Sequence, residues 1–131
     1  MKKIFFTVAL SILTLFAVAT KPHTDHIKVD TKTSTIKWIG SKIAESHEGT
    51  INIQKGVLDI NHGVLVGGQI SIDMSTITNT DMEGRRKQRL EWHLKNEDFF
   101  NVESFPLAVI TISNAKRGEG NTYNIIADLT I

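Results

Sequence analysis

The side chains whose types and spacing could do chemistry are five histidines, at positions 23, 26, 47, 62 and 93, and a run of cations at Arg85, Arg86, Lys87 and Arg89. His47 is followed by Glu48, and His93 by Glu97 and Asp98, so each offers an acid–base pair along the chain. Adjacent residues of a strand point to opposite faces, however, so His47 and Glu48 cannot readily serve one site. His47 is read as a structural histidine at a strand mouth and His93 as a cap or hydrogen-bonded anchor, with acid/base catalysis as the alternative for either. His23-x-x-His26 could hold a metal ion only if further ligands approached, and His62 falls in a turn, so no metal site is expected. The cationic run reads as a solvated helix face, with contact to a phosphate group as its functional alternative. No nucleophile elbow, zincin motif, phosphate-cradling loop or dinucleotide fingerprint is present. The absence of cysteine removes thiol catalysis, disulfides, iron–sulfur clusters and Cys-ligated zinc. The chain is therefore expected not to be an enzyme and to need no cofactor.

The elements that must position these groups come from the rest of the sequence. With 131 residues, 40% hydrophobic and 22% charged, it is the size of one ordinary domain. Residues 1–19 read as a cleaved secretory signal: Lys2 and Lys3, an apolar run over 4–16, then the small-residue pattern Ala17-Val18-Ala19. The apolar run falls short of the roughly 20 residues a bilayer span requires, so no transmembrane anchor is expected after cleavage. Loss of the two leader lysines turns the formal charge from +1 to −1. Neither nucleic acid nor an anionic membrane is then attracted by bulk charge. Such a leader on a cysteine-free chain reads as bacterial, with the periplasm as destination. Residues 20–131 form the one mature domain, opening on a polar leader, 20–26, that is expected to fray.

Beyond residue 26, apolar residues recur at every second position, the period of a half-buried strand. Ile36, Trp38 and Gly40 share one parity. So do His47, Gly49, Ile51 and Ile53; Gly68, Ile70, Ile72 and Met74; Ala108, Ile110 and Ile112; and Tyr123, Ile125, Ala127, Leu129 and Ile131. Ile27 with Val29, and Val57 with Leu58, suggest shorter pairing segments. Turn chemistry at residues 61–63 and 117–121 joins these runs as antiparallel hairpins. Residues 82–96 lack β-branched side chains and are rich in good helix formers, so they are expected to be the one helical segment. One helix is too little cover for so many strands, and closure into a barrel follows. The inward glycines could leave a ligand-sized space or could be bends around a filled core; spacing alone leaves both open. The alternate faces carry Lys37, Glu48, Asn52, Gln54, Gln69, Ser71 and Asp73, which argues against a transmembrane barrel.

The run His93-Leu94-Lys95-Asn96-Glu97-Asp98-Phe99-Phe100-Asn101-Val102-Glu103-Ser104-Phe105-Pro106 resembles the signature of the YceI-like family of exported lipid-binding proteins. Ser34-Thr35-Ile36-Lys37-Trp38, His47-Glu48-Gly49, the segment 67–77 and Ala127-Asp128-Leu129-Thr130-Ile131 are similar to it in order and spacing. The resemblance implies an all-β, antiparallel, lipocalin-like barrel with one short helical segment. Its apolar interior would hold a long-chain isoprenoid or related lipid, without catalysis or metal. On this basis the expected lining is Ile36, Trp38, Ile51, Ile53, Ile70, Ile72, Met74, Ala108, Ile110, Ile125 and Leu129. Phe99, Phe100 and Phe105 are expected to pack over one barrel end, touching either ligand or core. Trp92 stands where the related pattern has a small residue and is expected to reshape the entrance. The family pattern continues past the Leu-Thr-Ile strand, so the barrel is expected to be incomplete at its C-terminal side. A partner strand, including one from a homodimer, could then cover the last edge. The enzymatic alternative is an acid/base catalyst working on a lipid or quinone head group through His47 or His93.

Overall fold

The computed structural model describes residues 23–131. The signal segment expected at residues 1–19 lies outside them. Six strands and one helix follow in the order β1 (Thr24–Lys28), β2 (Ile36–Lys42), β3 (Glu45–Asn61), β4 (Val64–Asn79), α1 (Gly84–Lys95), β5 (Leu107–Arg117) and β6 (Tyr123–Thr130). All pairings are antiparallel, in one sheet. β3 pairs with β4, β4 with β5 and β5 with β6. β1 and β2 lie end to end along the other side of β3, one pairing with Val57–Asn61 and the other with Glu45–Ile51. The fold is all-β with one short helix, as expected, and the sheet is not closed: among the described strands β6 has no partner beyond β5.

The described part of the leader expected to fray is instead strand from Thr24 onward. Thr24 opposes Asn61, and His26 Nδ1 lies 2.6 Å from Asp59 Oδ1, so both backbone and side chain tie it to β3. Asp30 then turns the chain, accepting from the Lys32 N–H at 2.9 Å and the Thr33 hydroxyl at 2.8 Å. Between β3 and β4 the turn puts both His62 (φ 49°) and Gly63 (φ 78°) in the left-handed region, the combination a two-residue hairpin demands.

The central strands run longer than the alternation suggests, because bulges interrupt the pattern without ending the strand. At the sharpest one Asp73 Oδ1 accepts from the Ser75 N–H at 3.0 Å, and Thr76 Oγ1 accepts the ladder hydrogen bond of the Asn52 N–H at 2.8 Å. Register between β3 and β4 slips there. Inward parity passes from Met74 to Ile77 rather than to Thr76, and both apolar residues are buried. Ile51, Ile72, Met74, Ile77, Leu94 and Ala108 form the core, with Leu94 the one buried residue of α1.

Candidate functional site

An apolar cavity of about 330 Å³ lies between the inner face of the sheet and the segment around α1. Its walls are Ile36, Trp38, Ile39 and Gly40 of β2, Ile51 of β3, Ile72, Met74 and Ile77 of β4, Leu94, Phe99 and Phe100, Ala108 and Ile110 of β5, and Leu129 and Ile131. Trp38 carries the one polar side-chain atom in that wall, and its Nε1–H is donated to the Thr50 carbonyl at 3.3 Å. Residues from β2 and from the β6 end face the same space.

Of the residues expected to line a cavity, Ile36, Trp38, Ile51, Ile72, Met74, Ala108, Ile110 and Leu129 do, together with Phe99 and Phe100. Ile53, Ile70, Ile125 and Phe105 do not. Ile53 is buried beside the bulge before Lys55. Ile70 leans over Gly56, and Ile125 lies past the β5 bulge at the far hairpin, 44% exposed. Phe105 stays on the exposed loop, 56% accessible. Trp92 is also outside the wall, on the exposed face of α1, so it does not shape this entrance.

The glycines divide between the two alternatives. Gly40 borders the cavity, but the space beside Gly49 is filled: a Cβ there would sit 1.8 Å from the Thr78 carbonyl and 2.5 Å from the Trp38 ring. Gly49 therefore lets β3 approach β4 and lets Trp38 lie flat across it.

The segment after α1 brings the phenylalanines down. Leu94 and Lys95 carbonyls at the helix end accept from the Phe100 and Val102 N–H groups at 3.1 and 3.0 Å, so the chain curls beneath the helix. Phe99 and Phe100 meet edge to face, centroids 4.6 Å apart.

Next to the cavity, a more polar groove of about 500 Å³ is bordered by Lys42, Glu45, His47, Met82, Arg86, Arg89, Leu90 and His93. Both histidines are tied down through Nδ1, to Asp81 Oδ2 at 3.0 Å and to Asp98 Oδ2 at 2.7 Å. The partner of His47 is thus not its neighbour Glu48 but a residue 34 positions on, in the β4–α1 connection. Hydrogen bonding from His47, then from Asn79 Nδ2 and the Glu48 N–H, holds the Asp81 carboxyl at about 2 against its ordinary 3.8. Asn79 is fully buried; its side chain also donates to the Glu48 carbonyl at 3.1 Å and accepts from the Met82 N–H at 3.0 Å. This network clamps the start of α1 to β3. Glu45 is likewise held below the usual carboxylate range, by its bond to Lys42 above all, with Arg86 contributing through charge. Among the described residues no three His, Asp or Glu gather as metal ligands, and no helix is long and apolar enough to cross a membrane.

A comparison with curated proteins finds no match. The family model described as YceI-like domain matches residues 27–131, a stretch that takes in the whole cavity wall, the groove and every strand but the first part of β1. That match covers most of the chain and agrees with the antiparallel fold, and the chain belongs to the YceI-like family.

Proposed function

We propose that this protein is an exported, non-catalytic binding protein that holds an isoprenoid or related long-chain lipid along its apolar inner face. The observation that carries the reading is the cavity: a wall of aliphatic and aromatic side chains whose single polar atom already has a backbone partner. Water gains little in such a space, whereas each CH₂ of a ligand transferred there gains about 0.8 kcal/mol before ordering costs. Its volume is near the lower end of the roughly 300–1,000 Å³ of small-molecule sites. One segment of a long chain fills it. The family is one of binding proteins and periplasmic in general, which supports both the role and the export reading of residues 1–19.

The test is displacement of a fluorescent apolar dye by geranylgeraniol, an uncharged isoprenoid alcohol. The protein is expected to bind it, and Ile72→Arg, which places an unpaired charge in the wall, to lose it. Unaltered binding by a folded Ile72→Arg variant would sink the assignment. A second reading, an acid/base enzyme working on a lipid or quinone head group, is favoured by one observation: two carboxylate-bound imidazoles border the same groove. It requires turnover that His47→Ala or His93→Ala abolishes while lipid binding persists.

A further inference from the structure

We propose that the groove beside the cavity seats the anionic head group, a phosphate or diphosphate, of an amphiphile whose apolar chain occupies the cavity; this rests on the lipid-binding reading above. Three depressions run into one another. The apolar cavity shares Trp38, Gly40, Leu94 and Phe99 with an intermediate recess of about 320 Å³. That recess shares Lys42, Glu45, His47, Leu90 and His93 with the groove that adds Arg86 and Arg89. One path therefore leads from uncharged walls to three permanent cations, two imidazoles and a single carboxylate.

The carboxylate is already matched, since Glu45 Oε2 lies 2.8 Å from Lys42 Nζ. Arg86 and Arg89 make no ion pair among the described residues. A guanidinium presents a planar fork of donors that matches phosphate oxygens. Each imidazole is bound to its carboxylate through Nδ1, which leaves Nε2 free of that carboxylate as a second ring nitrogen for an oxygen ligand.

The helix supplies an independent sign. The first turn of α1 carries Arg85, Arg86 and Lys87, with no acidic residue, and its N-cap Glu83 makes no side-chain cap bond. Cations at the positive end of a helix dipole are unfavourable, and among the described residues only Lys87 of the three has an ion-pair partner, Glu91 at 3.8 Å, while Arg86 meets Glu45 only through longer-range charge. Local rules broken in this way mark functional positions, and an anion in the groove supplies the missing compensation.

The experiment compares geranylgeranyl diphosphate, geranylgeraniol and inorganic pyrophosphate as probes, by calorimetry on the full chain and on Arg86→Gln/Arg89→Gln. The diphosphate lipid is expected to bind about a hundredfold more tightly than the alcohol, with about tenfold lost for each arginine removed. The double variant should bind the alcohol as the unaltered protein does. Equal affinity of the unaltered protein for the two lipids, or a preference that survives in the double variant, would overturn the head-group assignment while leaving the cavity reading intact. Pyrophosphate alone binding as tightly as the lipid would overturn it too, marking a site for free phosphate. Failure of both lipids to bind would remove the cavity reading and this inference with it.

Discussion

Ala108→Leu separates a binding cavity from a packing void. Ala108 is 1% exposed and belongs to both the core and the cavity wall, so a larger side chain there extends from packed core toward the cavity. Leucine adds about three methylene equivalents. If that space holds a lipid chain, the added carbons displace a like number of ligand carbons. At about 0.8 kcal/mol each the loss is about 2.4 kcal/mol, or roughly sixtyfold in affinity. In the free protein the same carbons fill space, and the gain is expected to exceed any overpacking because the 330 Å³ cavity is large beside one side chain. The free protein should gain about 1–2 kcal/mol, a rise of several degrees in Tm. The assay is dye displacement by geranylgeraniol alongside thermal unfolding without ligand. Weaker binding from a more stable protein is the expected pair of results. A higher Tm with affinity unchanged would refute the reasoning, because the filled space would then be a void that no ligand enters.

Leu94→Ala should cost about 2–5 kcal/mol in denaturant unfolding, since Leu94 is the one buried side chain anchoring α1. Gly49→Ala is expected to destabilise by several kcal/mol, because its Cβ would meet the Thr78 backbone at 1.8 Å; circular dichroism of the purified variant would show the loss. Asp81 has its folded pKa lowered to about 2 from 3.8, so its contribution is full above about pH 4 and lost as the pH falls toward 2. Asp81→Asn should therefore flatten the fall of Tm with acid across that window while lowering Tm at neutral pH. Ile126 is 67% exposed on the edge strand β6, and Ile126→Lys should reduce self-association by light scattering without lowering Tm.

Much of the sheet was legible because strand parity is local: Ile36, Ile51, Ile72, Met74, Ala108 and Ile110 share an inner face through alternation alone. Ile77 escaped because the Asp73–Thr76 hydrogen bonds reverse parity one turn earlier, and such a bulge leaves no mark in an alternation count. The Asp73-x-Ser75-Thr76 run was its only signal. Leu94 stands in the family run, but alternation does not place it in the wall, since a helix residue has no strand parity. Ile53, Ile70 and Ile125 have the right parity and still miss the cavity, because parity fixes a face and not a position along it. The His47–Asp81 pair joins β3 to the connection before α1, a contact that no local spacing encodes. Gly49 is ambiguous for a simpler reason: an absent side chain can leave room or admit a neighbour, and the positions of the Thr78 carbonyl and the Trp38 ring decide between them.

The most direct measurement is native mass spectrometry of residues 20–131 purified from a bacterial periplasm without detergent, followed by organic extraction of any bound mass. A narrow charge-state distribution carrying a long-chain lipid adduct, lost in Ile72→Arg, is the predicted result. A narrow, folded distribution that stays ligand-free when geranylgeraniol is added would contradict the lipid-binding role.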